Sequence, residues 1–368
     1  MIKNIPLFKV FVPPEANAKI LETMQSGYLS ESSNTAHFTE LFSEYIDNKH
    51  TLMVNSCTSA LHLSYILSGV EKGKEVISTP LTAIASNLPV KWLGGTLKWA
   101  DVNPRNGMID PEDIRKKIND NTAAILVLHK DGDLADMTKI LDIGKQNNIK
   151  VIEDAAHAVG ASSETRKVGT MGDFTCFSFQ AIKQLSTGDG GALSCNSEED
   201  YWKARRLKWF GVDKAKKGTA NPWYNDVTEI GYKYDLMEMN AAIGISQMPY
   251  IQGLLDIAYQ NGQAFSKSLA KVEGVEILQR SNLDHSTYWA YTFKADNRDN
   301  LIRKLESNGV GAMQIHPRND KWSIFERSEP GELPGVDEFH ASEISIPCGW
   351  WVTEEDREYI VDLIKGGW

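Results

Sequence analysis

Four cysteines, Cys57, Cys176, Cys195 and Cys348, are scattered along the chain without a CxxC pair. Such spacing offers neither a zinc ribbon nor a disulfide framework, and it predicts reduced, buried thiols of the kind a reducing cytoplasm preserves. No metal site is expected. No apolar run reaches the ~18 residues that a membrane span requires. The opening Met1-Ile2-Lys3-Asn4-Ile5-Pro6 has no apolar h-region and no small-residue cleavage site, so no secretory leader is expected. Positive charge is in deficit: 39 Lys and Arg stand against 49 Asp and Glu, a formal charge of −10. That balance argues against nucleic acid or anionic membrane as a partner, and a phosphate-bearing ligand must meet a local cluster of positive groups. Internal repeats, low-complexity tracts and Pro/Ser-rich linkers are missing as well.

With 368 residues, 42% hydrophobic and 24% charged, the chain can bury a sizeable core, and its length predicts one large domain and one smaller one. Short β-rich runs at 51–54, 75–79, 96–100, 123–128, 150–153, 174–179 and 191–194 alternate with helix-compatible segments at 58–68, 83–93, 111–118 and 137–147. That alternation predicts a mostly parallel sheet covered by helices on both faces, with ligands bound at the carboxyl ends of the strands. Residues 236–271 read as a long helical region that Pro249 breaks or kinks. Beyond it, strands are expected at 275–278, 288–293, 311–315 and 344–346, and helices at 298–308 and 354–364, forming a smaller α+β unit. Residues 213–225, with Lys214, Lys216 and Lys217 beside Gly218 and Pro222, read as the most loop-like long connection.

Polar residues at the strand ends carry the chemistry. Val151-Ile152 runs into Glu153-Asp154-Ala155-Ala156-His157-Ala158, which puts an acid at the ligand-binding edge. The run at 174–179 carries Ser178 and is followed by Lys183 and the flexible Thr187-Gly188-Asp189-Gly190-Gly191. The run at 51–54 leads into Asn55-Ser56-Cys57-Thr58-Ser59-Ala60, small residues opening a helix whose free N–H groups make an anion site. Taken singly, Lys183 reads as a solvated lysine, Asp154 as a helix cap, His157 as a structural histidine, and Ser56, Thr58 and Ser59 as caps. As a set along one sheet they match pyridoxal 5'-phosphate (PLP). That cofactor needs a lysine to carry it as a Schiff base, an aspartate to keep its pyridine nitrogen protonated, and amides with hydroxyls to hold its phosphate.

Further motifs run the length of the chain: Ser26-Gly27-Tyr28-Leu29-Ser30, Thr58-Ser59-Ala60-Leu61-His62-Leu63, Ile109-Asp110-Pro111, Gly169-Thr170-Met171-Gly172-Asp173, Gly231-Tyr232-Lys233-Tyr234 and Asn240-Ala241-Ala242-Ile243-Gly244. With Asp154, Ser178 and Lys183 they make the chain resemble the DegT/StrS-type sugar aminotransferases, PLP enzymes of the aspartate aminotransferase fold (fold type I). The resemblance implies a three-layer αβα domain at 1–245, with an N-terminal helical segment and a mixed, mostly parallel seven-stranded sheet, and a small C-terminal α+β domain at 246–368. It implies Lys183 as the cofactor-bearing lysine and Asp154 as the partner of the pyridinium nitrogen. His157 would lie beside the phenolic oxygen, with Ser178 and the amides of Cys57 and Thr58 on the phosphate. The partner subunit's Lys233, where relatives carry Asn, would reach that phosphate across a homodimer with shared active sites. Other departures are Ala83 where relatives place a ring that stacks on the cofactor, Cys57 where they have Gly, and His129-Lys130-Asp131-Gly132, which is expected to alter substrate contacts.

The activity implied is transamination in the cytoplasm. L-Glutamate would give its amino group to the cofactor, leaving pyridoxamine 5'-phosphate (PMP) and 2-oxoglutarate. A keto group on a nucleotide-linked deoxy-sugar would then receive it, in amino-sugar biosynthesis for lipopolysaccharide or another surface glycoconjugate. Expected substrate contacts are Tyr28, Leu29, Lys214, Tyr224, His316, Arg318 and Asn319, while Arg205, Arg206 and Lys208 read as a solvated helix face. Alternatives are a cyclitol aminotransferase, a keto-sugar dehydratase, in which His replaces the lysine, and a PLP-binding regulatory protein without turnover. Lys183 speaks against the dehydratase.

Overall fold

The computed structural model describes residues 3–213, 226–280, 285–325 and 332–368. Its main sheet comprises β1 (Thr51–Val54), β2 (Glu75–Ser78), β3 (Thr96–Trp99), β4 (Thr122–Leu128), β5 (Lys150–Asp154), β6 (Phe174–Ser178) and β7 (Gly191–Cys195), in the order β1-β7-β6-β5-β4-β2-β3. β2 to β6 pair in parallel, and β7 alone runs antiparallel to both neighbours. This is the seven-stranded, mixed and mostly parallel sheet expected from the alternation of elements. Helices α1 (Glu15–Ser26), α2 (Ser33–Ile46), α3 (Cys57–Leu67), α4 (Ile84–Trp92), α5 (Pro111–Lys117), α6 (Met137–Asn147), α7 (Glu198–Lys208) and α8 (Glu238–Gln247) surround it.

The strands are buried along nearly their whole length, as a sheet covered on both faces requires. Their period of two sorts the side chains into two cores. Met53, Ile77, Ile125 and Val151 join Phe38 and Phe42 of α2 on one face. Leu52, Val76, Leu126 and Ile152 join Leu61 of α3 and Val90 of α4 on the other. Caps start several of the helices: Ser56 Oγ accepts from Ser59 N at 3.1 Å, and Asp110 does the same for α5 with Pro111 in the first turn.

Past a 3-10 turn at Met248–Tyr250, α9 (Ile251–Leu269) carries the chain to a second, three-stranded sheet of β8 (Val275–Ile277), β9 (Tyr291–Ala295) and β10 (Glu343–Ile346). Pro249 thus opens a tight turn that divides α8 from α9. The helices α10 (Arg298–Ser307), α11 (Pro334–Ser342) and α12 (Glu354–Lys365) complete this unit. Two features depart from the sequence expectation. The stretch 311–315 is not a strand: Met313 forms a single bridge to Ser345, and Ile5 takes up the neighbouring backbone, bonding Gly309 O at 2.8 Å and receiving Gly311 N at 2.9 Å. The N-terminal residues therefore strap onto the second unit, whose core contains Ile5. The other departure is α11, which no expected element covered. All four cysteines are buried free thiols, and among the described residues no helix is long and apolar enough to cross a membrane.

One buried carboxylate ties the N-terminal helices to the sheet domain. Glu238, in the first turn of α8, accepts hydrogen bonds from Ser32 N, Asn34 N, Thr35 N and Thr35 Oγ1 at 2.7–2.8 Å. These include amides at the start of α2 that have no intrahelical partner. Glu238→Ala should therefore lower the unfolding free energy by about 3 kcal/mol. The urea midpoint should fall accordingly, and further than in Glu238→Gln, which retains one acceptor.

Candidate active site

The carboxyl ends of β4, β5 and β6 converge with the N-termini of α3 and α4, and here the residues singled out in the sequence meet. Asp154 ends β5 and is 2% exposed. Ser86 Oγ donates to its Oδ2 at 2.6 Å, and Ala156 N to its Oδ1 at 3.1 Å. Burial raises the Asp154 pKa, while the Ser86 hydroxyl, the Ala156 amide, Lys183 and His129 pull it back, leaving a net rise.

Lys183 lies in the β6–β7 connection. That loop is clamped by α8: Gln247 bonds both Ser186 N (3.0 Å) and Ser186 O (2.6 Å), and Asn240 Nδ2 donates to Thr187 O and Asp189 O. Burial lowers the Lys183 pKa to about 8, against the opposing pull of Asp154, Cys57 and Asp131. Nζ sits 3.8 Å from the centroid of a Trp289 ring.

His157 is buried, and its ring stacks on Trp289 at 3.8 Å and lies parallel to His316 at 5.3 Å. Asp131 N donates to His157 Nδ1 at 3.3 Å, which assigns the proton of the neutral ring to Nε2. Desolvation, followed by the nearby Lys183, His316 and Lys130 charges, holds the His157 pKa well below that of a free imidazole.

The anion cradle is the start of α3. Ser56 Oγ takes the Ser59 amide, and among the described residues the Cys57 and Thr58 amides have no protein acceptor. Gly191 makes room for them, since a Cβ there would come within 2.6 Å of Cys57 N and 2.7 Å of Phe177 O. Ser178, the register partner of Gly191 across β6 and β7, is 5% exposed. The Cys57 thiol is pushed well up by burial and then by the charges of Asp154 and Cys176, so it stays protonated.

The donor set fits PLP: a desolvated amine, a strand-end carboxylate, open amides beside a glycine-cleared cradle, and the buried His316 Nε2 and Asp131 Oδ1, which have no hydrogen-bond partner among the described residues.

The expected substrate contacts are more dispersed. Asn319 is fully buried and accepts from Asn87 Nδ2 (2.9 Å) while donating to Thr82 O (2.8 Å), so it braces the segment that carries Ser86. Arg318 pairs with Asp320 at 2.7 Å and with Asp337. Tyr28 and Leu29 are exposed at the end of α1, at 73% and 41%. Lys233 pairs with Asp235, and its carbonyl accepts from Asn55 Nδ2 at 3.5 Å, one residue before the cradle. Lys214 and Tyr224 lie outside the described residues. The His129–Gly132 segment does not present open contacts: His129 Nε2 pairs with Glu153 Oε2 at 2.8 Å, and Lys130 lies between Asp131 (3.2 Å) and Glu343 (3.0 Å), all buried.

Sequence reasoning missed Ser86, Gln247 and Trp289. Ser86 follows β2, so its place after another strand's carboxyl end was a usable signal. Trp289 comes from the second unit, and nothing in its neighbourhood marks it.

The chain matches the DegT/DnrJ/EryC1/StrS aminotransferase family over residues 13–365. Its structure superposes with a TM-score of 0.94 on AtS13 from Actinomadura melliaura, at 35% identity and covering 99% of each chain. The sugar aminotransferase CalS13 from Micromonospora echinospora is similar at 31% identity, TM-score 0.94, covering 99% of this chain and 100% of that one. Among curated proteins, GDP-perosamine synthase from Caulobacter vibrioides is 31% identical, over 86% of each chain. The chain is thus an enzyme of the DegT/DnrJ/EryC1/StrS aminotransferase family, whose members are PLP-dependent sugar aminotransferases.

Proposed function

We propose that the protein moves an amino group from L-glutamate to the keto group of a nucleotide-linked deoxy-sugar, with PLP held by Lys183, Asp154, His157, Ser178 and the amides of Cys57 and Thr58. The observation that carries this reading is the half-buried, desolvated Lys183 amine, with a pKa lowered to about 8, within the electrostatic reach of the strand-end carboxylate of Asp154. An amine poised near neutrality can accept a proton and return it, as amino-group transfer requires. Bound there, PLP supplies a protonated ring that takes up electron density from the carbon being deprotonated.

The chain's own residues divide the remaining work. Asp154, kept in place by Ser86 and the Ala156 amide, holds the proton on the ring nitrogen. Lys183 Nζ carries the moving proton. His157 Nε2–H is the donor available to the phenolic oxygen. The α3 amides, at the positive end of the helix, face the phosphate. The nucleotide-sugar class is supported by the relative GDP-perosamine synthase, which is named for a GDP-linked sugar. Glutamate as donor, a homodimer in which the partner subunit's Lys233 reaches the phosphate, and a role in surface glycoconjugates belong to the same proposal.

Glutamate added to the cofactor-loaded protein should move the cofactor absorbance from the lysine-bound form to the pyridoxamine form. A 4-keto or 3-keto sugar nucleotide should then restore the first. No change with glutamate would sink the donor assignment, and a Lys183→Ala protein that kept the lysine-bound band would exclude Lys183 as the tether. A second expectation concerns Ser86→Ala. Removing a hydrogen bond to a buried carboxylate is worth ~1.5–3 kcal/mol, so the unfolding free energy of the cofactor-free chain should fall by about that amount in a urea titration, and an unchanged midpoint would show that the bond does not hold Asp154 in place.

A further inference from the structure

Lys183 is half-buried and its amine desolvated, yet no carboxylate among the described residues forms an ion pair with it. Its charged neighbours are Asp154 at the end of β5, Asp131 after β4 and, if ionised, Cys57 at the start of α3. His157 and His316 face it as neutral rings, and Lys130, which also faces them, is held between Asp131 and Glu343. What meets the amine directly is Trp289, whose ring centroid lies 3.8 Å from Nζ, well inside the ~6 Å reach of a cation–π contact.

The indole is fixed from several sides. Its Nε1–H donates to the carbonyl of Ile182, the residue before Lys183, at 2.8 Å. Its backbone N–H donates to Asp131 O at 2.9 Å. Phe8 of the N-terminal strap stacks on it at 4.4 Å and His157 at 3.8 Å. Tyr288, immediately before it, and Asp131, its backbone partner, both hold left-handed conformations, at φ 41° and 57°. Such conformations persist where the surroundings over-determine them.

We propose that Trp289 is the positioning residue for Lys183: its ring face holds the ammonium group in place of a counter-ion and keeps the amine over the site when it is not bonded to the cofactor. The catalytic consequence rests on the aminotransferase reading, whereas the contact itself is measurable without it. Burial disfavours the charged amine and the ring favours it, so loss of the ring drives the amine further toward neutrality. A carboxylate in the same place would favour the charged form more strongly and hold the proton too tightly for a shuttle. A ring face supports the cation while leaving its pKa, at about 8, low enough for the proton to be given up.

The test uses the full chain freed of cofactor, with 13C at lysine Cε, and the Lys183 signal assigned by its loss in Lys183→Arg. The Lys183 signal should be displaced upfield by the indole ring current and should titrate below the surface lysines. Trp289→Leu should abolish the displacement and lower the midpoint by about one pH unit, as a desolvated cation–π contact implies. Trp289→Phe should restore most of both, although it lacks the hydrogen bond to Ile182. An undisplaced signal in the unaltered chain, a midpoint that Trp289→Leu leaves in place, or a Phe variant as shifted as the Leu variant overturns the proposal. Should the Leu variant not fold, fluorinated tryptophan incorporated into the unaltered chain weakens the ring face at nearly constant shape. A Lys183 midpoint that then fails to fall overturns the proposal equally. Failure of the aminotransferase reading shows separately, as a cofactor spectrum that glutamate leaves unchanged.

Discussion

Burying the Lys183 amine removes solvation that Asp154, Cys57 and Asp131 return only in part, and its pKa settles at about 8. An amine in that condition has no ion pair to fix it, so its position must come from the Trp289 ring beneath it and from the chain around it. The β6–β7 connection is accordingly bonded at several points to α8, through Asn240 and Gln247, and α8 is itself tied to α2 through Glu238. From the other side, Trp289 grips the backbone at Ile182. The lysine backbone is thus held by its neighbours in sequence, while its amine rests on a ring face that can let the proton go.

The second unit takes part in the site it adjoins. Trp289 stands just before β9, and Asn319 follows His316, yet each bonds the main domain at a residue next to the chemistry. Asn319 braces Asn87 and the Thr82 carbonyl, and Thr82 Oγ1 in turn contacts Ser86 Oγ at 2.7 Å, the hydroxyl that reaches Asp154. The Asp154 carboxylate therefore feels the docking of the second unit through a continuous run of buried hydrogen bonds. Polar groups buried in this way hold one arrangement firmly because leaving any of them unpaired is costly.

The parts of this arrangement that were legible in the sequence are those governed by local pattern. Short β-rich runs announced the main sheet to within a residue or two, because most of the strands are covered on both faces. Asp154, Ser178 and Lys183 were legible because they stand at the ends of such runs. The residues that escaped reading work through tertiary contact. Ser86 supports Asp154 from 68 positions away, and Trp289 reaches Ile182 from 107. Asn319 was singled out as part of a polar segment near the domain boundary, and its amide bonds the buried Thr82 carbonyl across that boundary. His129 and Lys130 likewise meet acids inside the fold, His129 with Glu153 and Lys130 with Asp131 and Glu343.

Charge economy bears on how a nucleotide diphosphate is met. The chain carries −10 overall, and its described cations outside the lysine site are largely committed. Arg206 pairs with Glu229 at 3.2 Å, Arg280 with Asp133 at 2.8 Å, and Arg318 with Asp320 and Asp337. Arg205 lies over Trp202 at 4.9 Å, and Lys208 is buried against Glu31 and the Met53 carbonyl. Recruiting any of these would uncover a carboxylate near a dianionic ligand, which opposes binding twice: by losing an attraction and by adding a repulsion. The exposed pairs have least to lose, since an ion pair open to water contributes little. Exposure of the cation alone does not decide it: the Lys233 side chain is 54% exposed, but that of its partner Asp235 is only 6% exposed, so taking Lys233 away would leave a nearly buried carboxylate unpaired.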